Sequence, residues 1–123
     1  MLPRAVAAAL AQVFEEPVDG VIVIERSHYA KLHWGMAATT RPNRILLAIS
    51  GAEFIASPEL LLHEYYHVLC QWRSGYLTRW RYLREFLHCG YLRNRFELEA
   101  RSFAAAAAEP YCQYLRDTEH HGQ

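Results

Sequence analysis

The segment LLLHEYYHVL, residues 60–69, constrains this chain more than any other part of the sequence. Ser57-Pro58 precedes it, and this pair is typical of a helix start, because serine caps free N–H groups and proline fits the first turn. Ser74-Gly75 follows it and predicts the helix end, since glycine adopts the left-handed conformation that often closes a helix. The sequence therefore predicts one capped helix that runs from about Pro58 to Arg73.

Two histidines of this predicted helix lie one turn apart. His63 and His67 are separated by about 400° around the axis, so both imidazoles project from one face and can bind the same metal ion. Glu64 points to the flank of that face, where it can accept a proton from a metal-bound water. This His-Glu-x-x-His pattern predicts a zinc site and, with Glu64 as general base, the hydrolysis of a peptide bond.

The surroundings of the motif favour a metal site over an ordinary core helix. An apolar helix that buried two histidines and a glutamate without an ion would suffer a large desolvation penalty. Catalytic zinc needs a third protein ligand. The extended pattern HExxHxxGxxH is absent, because Cys70 and Arg73 stand where its glycine and last histidine would be. The downstream side chains that could supply the third ligand are His88, Cys89, Glu97 and Glu99.

The remaining patterns predict an α+β fold in a single domain over residues 1–123. One face of a first helix carries apolar side chains at helical spacing: Val6, Leu10, Val13 and Phe14. A small sheet follows from apolar or β-branched runs at 21–25, 37–40 and 44–50, with a turn at Pro42-Asn43. Two further helices are predicted after the metal helix, over about 78–88 and 94–109, with Pro110 as a kink or a break. A helical turn or two continues to about residue 116, and residues 117–123 are predicted to be disordered.

Composition bears on location and on partners. The formal net charge is zero, and the seven arginines between positions 73 and 101 are typical of solvated helix faces, so nucleic acid is not the expected partner. Three cysteines without a CxxC pair favour a reduced, cytoplasmic protein. The first residues favour a retained helix over an export signal. No apolar run is long enough to predict a membrane span.

One order of motifs resembles a known family. HEYYHVLCQW (63–72) is followed by Tyr82-Leu83, by Gly90-Tyr91 and by NRFELEA (94–100). In this order and spacing, with Gln71 after the histidines, the chain resembles the small gluzincins, or minigluzincins, over roughly residues 44–107. The resemblance implies a minimal zincin-like catalytic domain, in which a short helical segment and a glutamate helix with the pattern N-x-x-E-x-E-A follow the metal helix.

The resemblance also implies roles for particular residues. Glu97, in the register E-x-x-A, is implied as the third zinc ligand, with Glu99 as the alternative. The other interpretation of Glu97 is a capping-box partner of Asn94. Tyr91 is implied to stabilise the oxyanion, and the strand at 44–50 to be the sheet edge that pairs with an extended peptide or protein substrate. Relatives often have Asp or Asn four residues after the ligand, where it orients a metal histidine, but this chain has Arg101.

The sequence thus leads to one expected function and two alternatives. The first expectation is a zinc-dependent endopeptidase, because a purely structural zinc site has no use for a base such as Glu64. The alternatives are a non-catalytic zinc-stapled domain that binds a protein or DNA partner, and a latent peptidase. In the latent form, the segment after Pro110 would occupy the edge of the strand at 44–50. The small size of the chain favours the alternatives, because only short segments remain to build the walls of a substrate cleft.

Overall fold

The structure is a computed structural model that describes residues 2–25, 38–75, 78–89 and 94–121. These residues form an α+β fold, as predicted. One helix precedes a small three-stranded sheet, and the described elements after the sheet are all helical. In chain order the elements are α1 (Arg4–Phe14), β1 (Ile22–Ile24), β2 (Ala38–Arg41), β3 (Arg44–Leu47), α2 (Gly51–Ile55), α3 (Pro58–Tyr66), a π-helical segment (His67–Trp72), α4 (Arg79–Cys89) and α5 (Arg95–His121).

Helix α1 packs on the rest of the fold through the face that its apolar spacing predicted. Val6 and Leu10 are buried in the core, and Val13 and Phe14 pack against it. The Phe14 ring stacks on Phe103 of α5 with the ring centroids 5.1 Å apart. Because its apolar stripe is covered by α5, α1 is an integral layer of the fold.

The sheet has the strand order β1-β3-β2, with β1 parallel and β2 antiparallel to β3. The predicted turn at Pro42-Asn43 joins β2 to β3, and Asn43 has a positive φ of 60°, which asparagine tolerates better than most residues. The face that carries Ala38, Ile45 and Leu47 is buried. The sheet therefore contributes one apolar face to the core, as an antiparallel pair with one solvated side does.

The predicted role of residues 44–50 as an edge strand is wrong. Strand β3 covers only Arg44–Leu47 and lies in the middle of the sheet, with Ile45 opposite Val23 on one side and Thr40 on the other. A strand has two hydrogen-bonding edges, and both edges of β3 are occupied. An extended substrate, or the chain's own tail, could pair with β3 only by displacing β1 or β2.

The helix predicted to bind metal, called the metal helix below, consists of α3 and the π-helical segment; it begins as predicted but ends differently. Pro58 lies in its first turn, after Ser57, although the Ser57 hydroxyl donates to the backbone oxygen of Glu53 instead of capping the helix. From His67 to Trp72 the helix widens into a π-helical turn, in which the Arg73 N–H donates to the Val68 carbonyl five residues earlier. The prediction of a uniform α-helix to Arg73 is therefore corrected. Gly75, with a φ of +82°, follows the helix end.

Helix α5 is longer than predicted and continuous. It runs from Arg95 to His121 with Pro110 inside it, so residues 117–121 are helical where the sequence predicted disorder. Tyr111 is completely buried directly after the proline, and Ala104 is buried six residues before the proline. Tertiary packing of this kind stabilises a helix more than local propensity does. None of the described helices has the length and apolar character that a membrane span requires.

Candidate metal site

Helix α3 and the start of the π-helical segment place the two motif histidines side by side. The His67 N–H bonds to the carbonyls of His63 and Glu64, so the chain between the histidines is an ordinary helical turn. The imidazole rings are 4.8 Å apart and nearly perpendicular, at 77°. Their Nε2 atoms are 3.1 Å apart. The i, i+4 spacing therefore gives the shared face that the sequence predicted.

Helix α5 brings a carboxylate to the same point. Glu97 Oε1 lies 3.0 Å from His63 Nε2 and 2.6 Å from His67 Nε2. The N-cap residue Asn94 accepts a hydrogen bond from the Phe96 N–H, 2.8 Å away, through its side chain. The Glu97 side chain is directed to the histidines, so its predicted alternative role as a capping partner is not what the structure shows. The ligand atoms of this group lie within 4.8 Å of one another and could hold a metal ion.

The other candidate ligands stand elsewhere. Glu99 accepts a hydrogen bond from Gln71 Nε2 at 3.1 Å. His88 is exposed on α4, and in the part of the chain that the structure describes the one group with metal-ligand geometry is the His63, His67, Glu97 set. The Cys89 side chain and Tyr91 lie outside the described residues. Of the two glutamates that the sequence left open, only Glu97 belongs to the group that could hold a metal ion.

Because His67 and Glu97 are buried, their charges and hydrogen bonds shift each other's pKa. Burial alone would lower the pKa of His67, but the hydrogen bond to Glu97 and the charges of Glu97 and Glu64 outweigh it, so this pKa is raised. Burial alone would raise the pKa of Glu97, but the hydrogen bonds and charges of His63 and His67 hold it well below its usual range. A metal ion bound by these three side chains would displace the protons in the hydrogen bonds between them. Metal binding would therefore release protons.

Glu64 lies next to the ligand group and is buried, with 5% of its surface exposed. Burial raises the pKa of Glu64, and the charges of His67 and His63 offset part of this increase. The carboxyl group therefore lies within electrostatic range of both histidines without being a member of the ligand set. The role of Glu64 as a proton acceptor beside a metal ion stays a prediction.

The sequence did not predict that Gln71 contacts a motif histidine. Gln71, in the π-helical segment, is 1% exposed and its Oε1 lies 2.6 Å from His67 Nδ1. Its Nε2 donates to the Phe96 carbonyl at 3.0 Å and to Glu99. The available signal was its position four residues after His67, which puts it on the same helix face one turn further along.

Comparisons of the chain with protein-family models, with curated proteins and with solved structures found no match.

Proposed function

We propose that this chain is a zinc-dependent endopeptidase of the minigluzincin type. His63, His67 and Glu97 would hold the zinc ion, and Glu64 would be the general base. One observation carries the proposal: three ligand atoms from two separate helices converge beside the buried carboxyl group of Glu64. A chance motif on the surface of a helix would have no reason to meet a carboxylate supplied 30 residues after its second histidine.

The donor set supports zinc in particular. Two imidazole nitrogens and one carboxylate oxygen are a set that catalytic zinc uses, with a fourth position left for water or substrate. Ligands at zinc distances of about 2.0–2.1 Å in tetrahedral geometry are about 3.3 Å apart. The separations in the chain are 3.0 Å and 2.6 Å to Glu97 and 3.1 Å between the histidines. Small outward movements of these side chains would therefore suffice to admit the ion.

The side chains of the site divide the chemistry between them. A bound zinc ion would polarise the scissile carbonyl and lower the pKa of a coordinated water to near neutrality. Glu64 would accept the proton of the attacking water and pass it to the leaving amine. His63, His67 and Glu97 would remain ligands throughout.

A substrate that adds to the sheet would pair with β2 in this proposal. The π-helical segment contacts β2 directly, where Trp72 Nε1 donates to Thr40 Oγ1 at 3.1 Å. Among the described strands, β2 lies at one end of the sheet and pairs on one side only, with β3. An extended peptide could therefore add to β2 close to the metal helix by strand addition.

The deciding experiment compares zinc-loaded wild-type protein with Glu64→Gln on unfolded protein substrates. The amide is nearly isosteric but cannot accept a proton, so hydrolysis should fall by about 100-fold or more. Zinc content and melting temperature should stay the same, because Glu64 is not in the ligand group. Cleavage by Glu64→Gln at the wild-type rate would overturn the assignment of the base.

A metal measurement on the same preparations is the control. Purified wild-type protein should hold about one zinc ion per chain, and His63→Ala should lose it. Equal zinc in both proteins would place the metal site elsewhere. Wild-type protein that holds zinc but cleaves none of the substrates would favour the alternative, a zinc-stapled binding domain.

A cytoplasmic location is part of the proposal. Cys70 is an exposed free thiol and Cys112 is half-buried and also free. Exposed thiols persist in reducing compartments, whereas secreted proteins of this size commonly pair their cysteines. Alkylation of the intact protein from cells should therefore modify Cys70 without prior reduction. A disulfide at Cys70 would contradict this location.

A further inference from the structure

We infer that Gln71 is a positioning residue that selects the metal-binding tautomer of His67 and fixes the orientation of its ring. This inference rests on the metal site of the proposed function, but it does not depend on peptide hydrolysis. It gives a function to the buried amide that links the metal helix to α5.

Two acceptors on α5 determine which end of the Gln71 amide faces His67. The Nε2 group has two N–H bonds, and it donates to the Phe96 carbonyl at 3.0 Å and to Glu99 Oε1 at 3.1 Å. A flipped amide would place its oxygen against a carbonyl and a carboxylate, which repel it. The amide oxygen must therefore face His67 Nδ1, from which it is 2.6 Å away.

This orientation determines the proton on His67. An amide oxygen only accepts hydrogen bonds, so Nδ1 of His67 must carry a hydrogen and donate it. When the ring is neutral, its other nitrogen, Nε2, then has the free electron pair. Nε2 is also the atom that lies 2.6 Å from Glu97 and 3.1 Å from His63. The Gln71 amide thus leaves Nε2 as the nitrogen that can bind an ion within the ligand group.

The metal helix supplies both His67, the proposed ligand, and Gln71, the residue that orients the His67 ring. Gln71 lies four residues after His67, in the π-helical segment, and is 1% exposed. Isolated π-helical turns occur frequently at functional sites. On α5, Arg101 follows Glu97 by four residues, is exposed, and its Nε donates to the Glu97 backbone carbonyl at 3.4 Å. The support for the His67 ring therefore comes from its own helix.

Glu99 fixes the orientation of the Gln71 amide through a hydrogen bond. It lies two residues after Glu97, and its carboxylate accepts from Gln71. The two glutamates of NRFELEA therefore act on the same histidine in different ways. Glu97 contacts Nε2 of His67, and Glu99 holds the amide that contacts Nδ1.

The test is the affinity of the whole chain for zinc and for cobalt, measured by competition with a chelator. Gln71→Met keeps the length of the side chain but removes the acceptor, and zinc affinity should fall about 10-fold to 100-fold. Gln113→Met makes the same substitution at an exposed position of α5, and it should leave the affinity unchanged. Circular dichroism of each metal-free variant reports whether the fold is intact.

A rescue variant separates positioning from packing. Gln71→Glu combined with Glu99→Gln puts an acceptor opposite Nδ1 again and gives the second carboxylate oxygen an amide donor. This double variant should recover part of the zinc affinity that Gln71→Met loses, because Nδ1 regains an acceptor, but not all of it, because the second carboxylate oxygen also faces the Phe96 carbonyl. The cobalt absorption spectrum should change in Gln71→Met and return in the double variant. A side chain that merely filled space would show neither recovery.

The outcomes distinguish this inference from the proposed function. Wild-type affinity and spectrum in a folded Gln71→Met would overturn the inference, and so would equal losses in Gln71→Met and the double variant. If Gln71→Met does not fold, Glu99→Ala tests the same contact, with an expected loss of about threefold to tenfold; no loss would overturn the inference. Wild-type protein that binds zinc but cleaves no peptide would remove the proposed function and leave the role of Gln71 intact.

Discussion

At the scale of single residues, Glu97 and Glu99 show how two similar side chains acquire different functions. They are two positions apart on α5, so their side chains leave the helix about 200° apart. Glu97 is 5% exposed and contacts both motif histidines. Glu99 is half-buried and accepts a hydrogen bond from Gln71. Only the carboxylate of Glu97 can therefore reach an ion held by the histidines.

Glu97→Ala should weaken zinc binding far more than Glu99→Ala. The first substitution removes a ligand and should cost about 100-fold or more in affinity, whereas the second removes only an outer contact. Because metal binding stabilises the folded state, the melting temperature in zinc should fall in the same order. Glu109→Ala, at an exposed position of the same helix, is the control. The opposite ranking would transfer the ligand role to Glu99.

Two tyrosine hydroxyls are buried without a hydrogen-bond partner among the described residues, those of Tyr65 and Tyr111. A buried polar group without a hydrogen-bond partner loses its hydration without a compensating interaction, which destabilises the folded state. Tyr65→Phe and Tyr111→Phe should therefore leave the free energy of unfolding unchanged or raise it by up to about 1 kcal/mol. Urea titrations measure this difference. A loss of more than about 1 kcal/mol would mean that the hydroxyl has a partner, such as a buried water.

The same two tyrosines should make the free energy of unfolding fall as the pH rises above about 10. Burial, with the charges of Cys112 and Glu119, raises the pKa of Tyr111 to about 12, and burial also raises the pKa of Tyr65. An unfolded tyrosine loses its proton near pH 10, so above that pH the unfolded chain binds fewer protons than the folded chain, and stability falls as pH rises. By pH 11 the loss should be about 1 kcal/mol per tyrosine. The double phenylalanine variant should lose correspondingly less, and parallel curves would contradict the assignment.

At the scale of elements, α5 continues through a residue that ordinarily interrupts helices. Pro110 lacks an N–H, so the carbonyl four residues earlier loses its helical hydrogen bond. The proline itself is exposed, and the fully buried Tyr111 follows it. Packing after the proline therefore maintains a helix that local propensity alone would end.

Pro110→Ala should stabilise the protein. Alanine restores the missing hydrogen bond and removes the clash of the proline ring, so the free energy of unfolding should rise by about 1–3 kcal/mol. Thermal denaturation of the metal-free chain measures the change. Glu109→Ala, the neighbouring exposed position, should change stability by less than about 0.5 kcal/mol. A destabilised Pro110→Ala would show that α5 needs a bend at this point to seat Tyr111.

At the scale of the whole molecule, α5 connects the candidate metal site to the core. Its 27 residues span about 40 Å, with Glu97 at the metal end and Tyr111 in the hydrophobic core. Phe103 lies between these points and contacts the rings of Phe14 on α1 and Tyr66 on α3. Helix α5 therefore packs against both α1 and α3 and holds them in one fold.

Removal of residues 111–123 should unfold the protein and should not release a latent activity. Residues 111–121 are helical and Tyr111 is completely buried, so this part of the segment offers no free strand that could pair with β3. Tyr111→Ala alone should cost about 3–5 kcal/mol through the cavity that it leaves, whereas Tyr111→Phe keeps the packing. Circular dichroism and melting curves of these variants test the expectation. A folded, more active truncated protein would restore the latent-peptidase alternative.

Much of the metal helix could be predicted from the sequence because its determinants are local. The i, i+4 spacing places His63 and His67 on one face, and Glu64 beside them, in any α-helix. Pro58 and Gly75 mark its two ends, and Pro42-Asn43 mark the turn between β2 and β3. The α+β class and the apolar face of α1 follow from short-range periodicity in the same way.

Contacts between distant segments decided the rest. The middle position of β3 depends on which strands pair across the sheet, and no local pattern contains that information. The π-helical turn, the Gln71 amide and the continuation of α5 through Pro110 each depend on packing against another element. The resemblance to minigluzincins suggested Glu97, but its contact with His67 joins residues 30 positions apart. The sequence by itself determined which groups can carry the chemistry, because helical periodicity is local; only the tertiary structure decided which of them meet, because burial and long-range hydrogen bonds fix those distances.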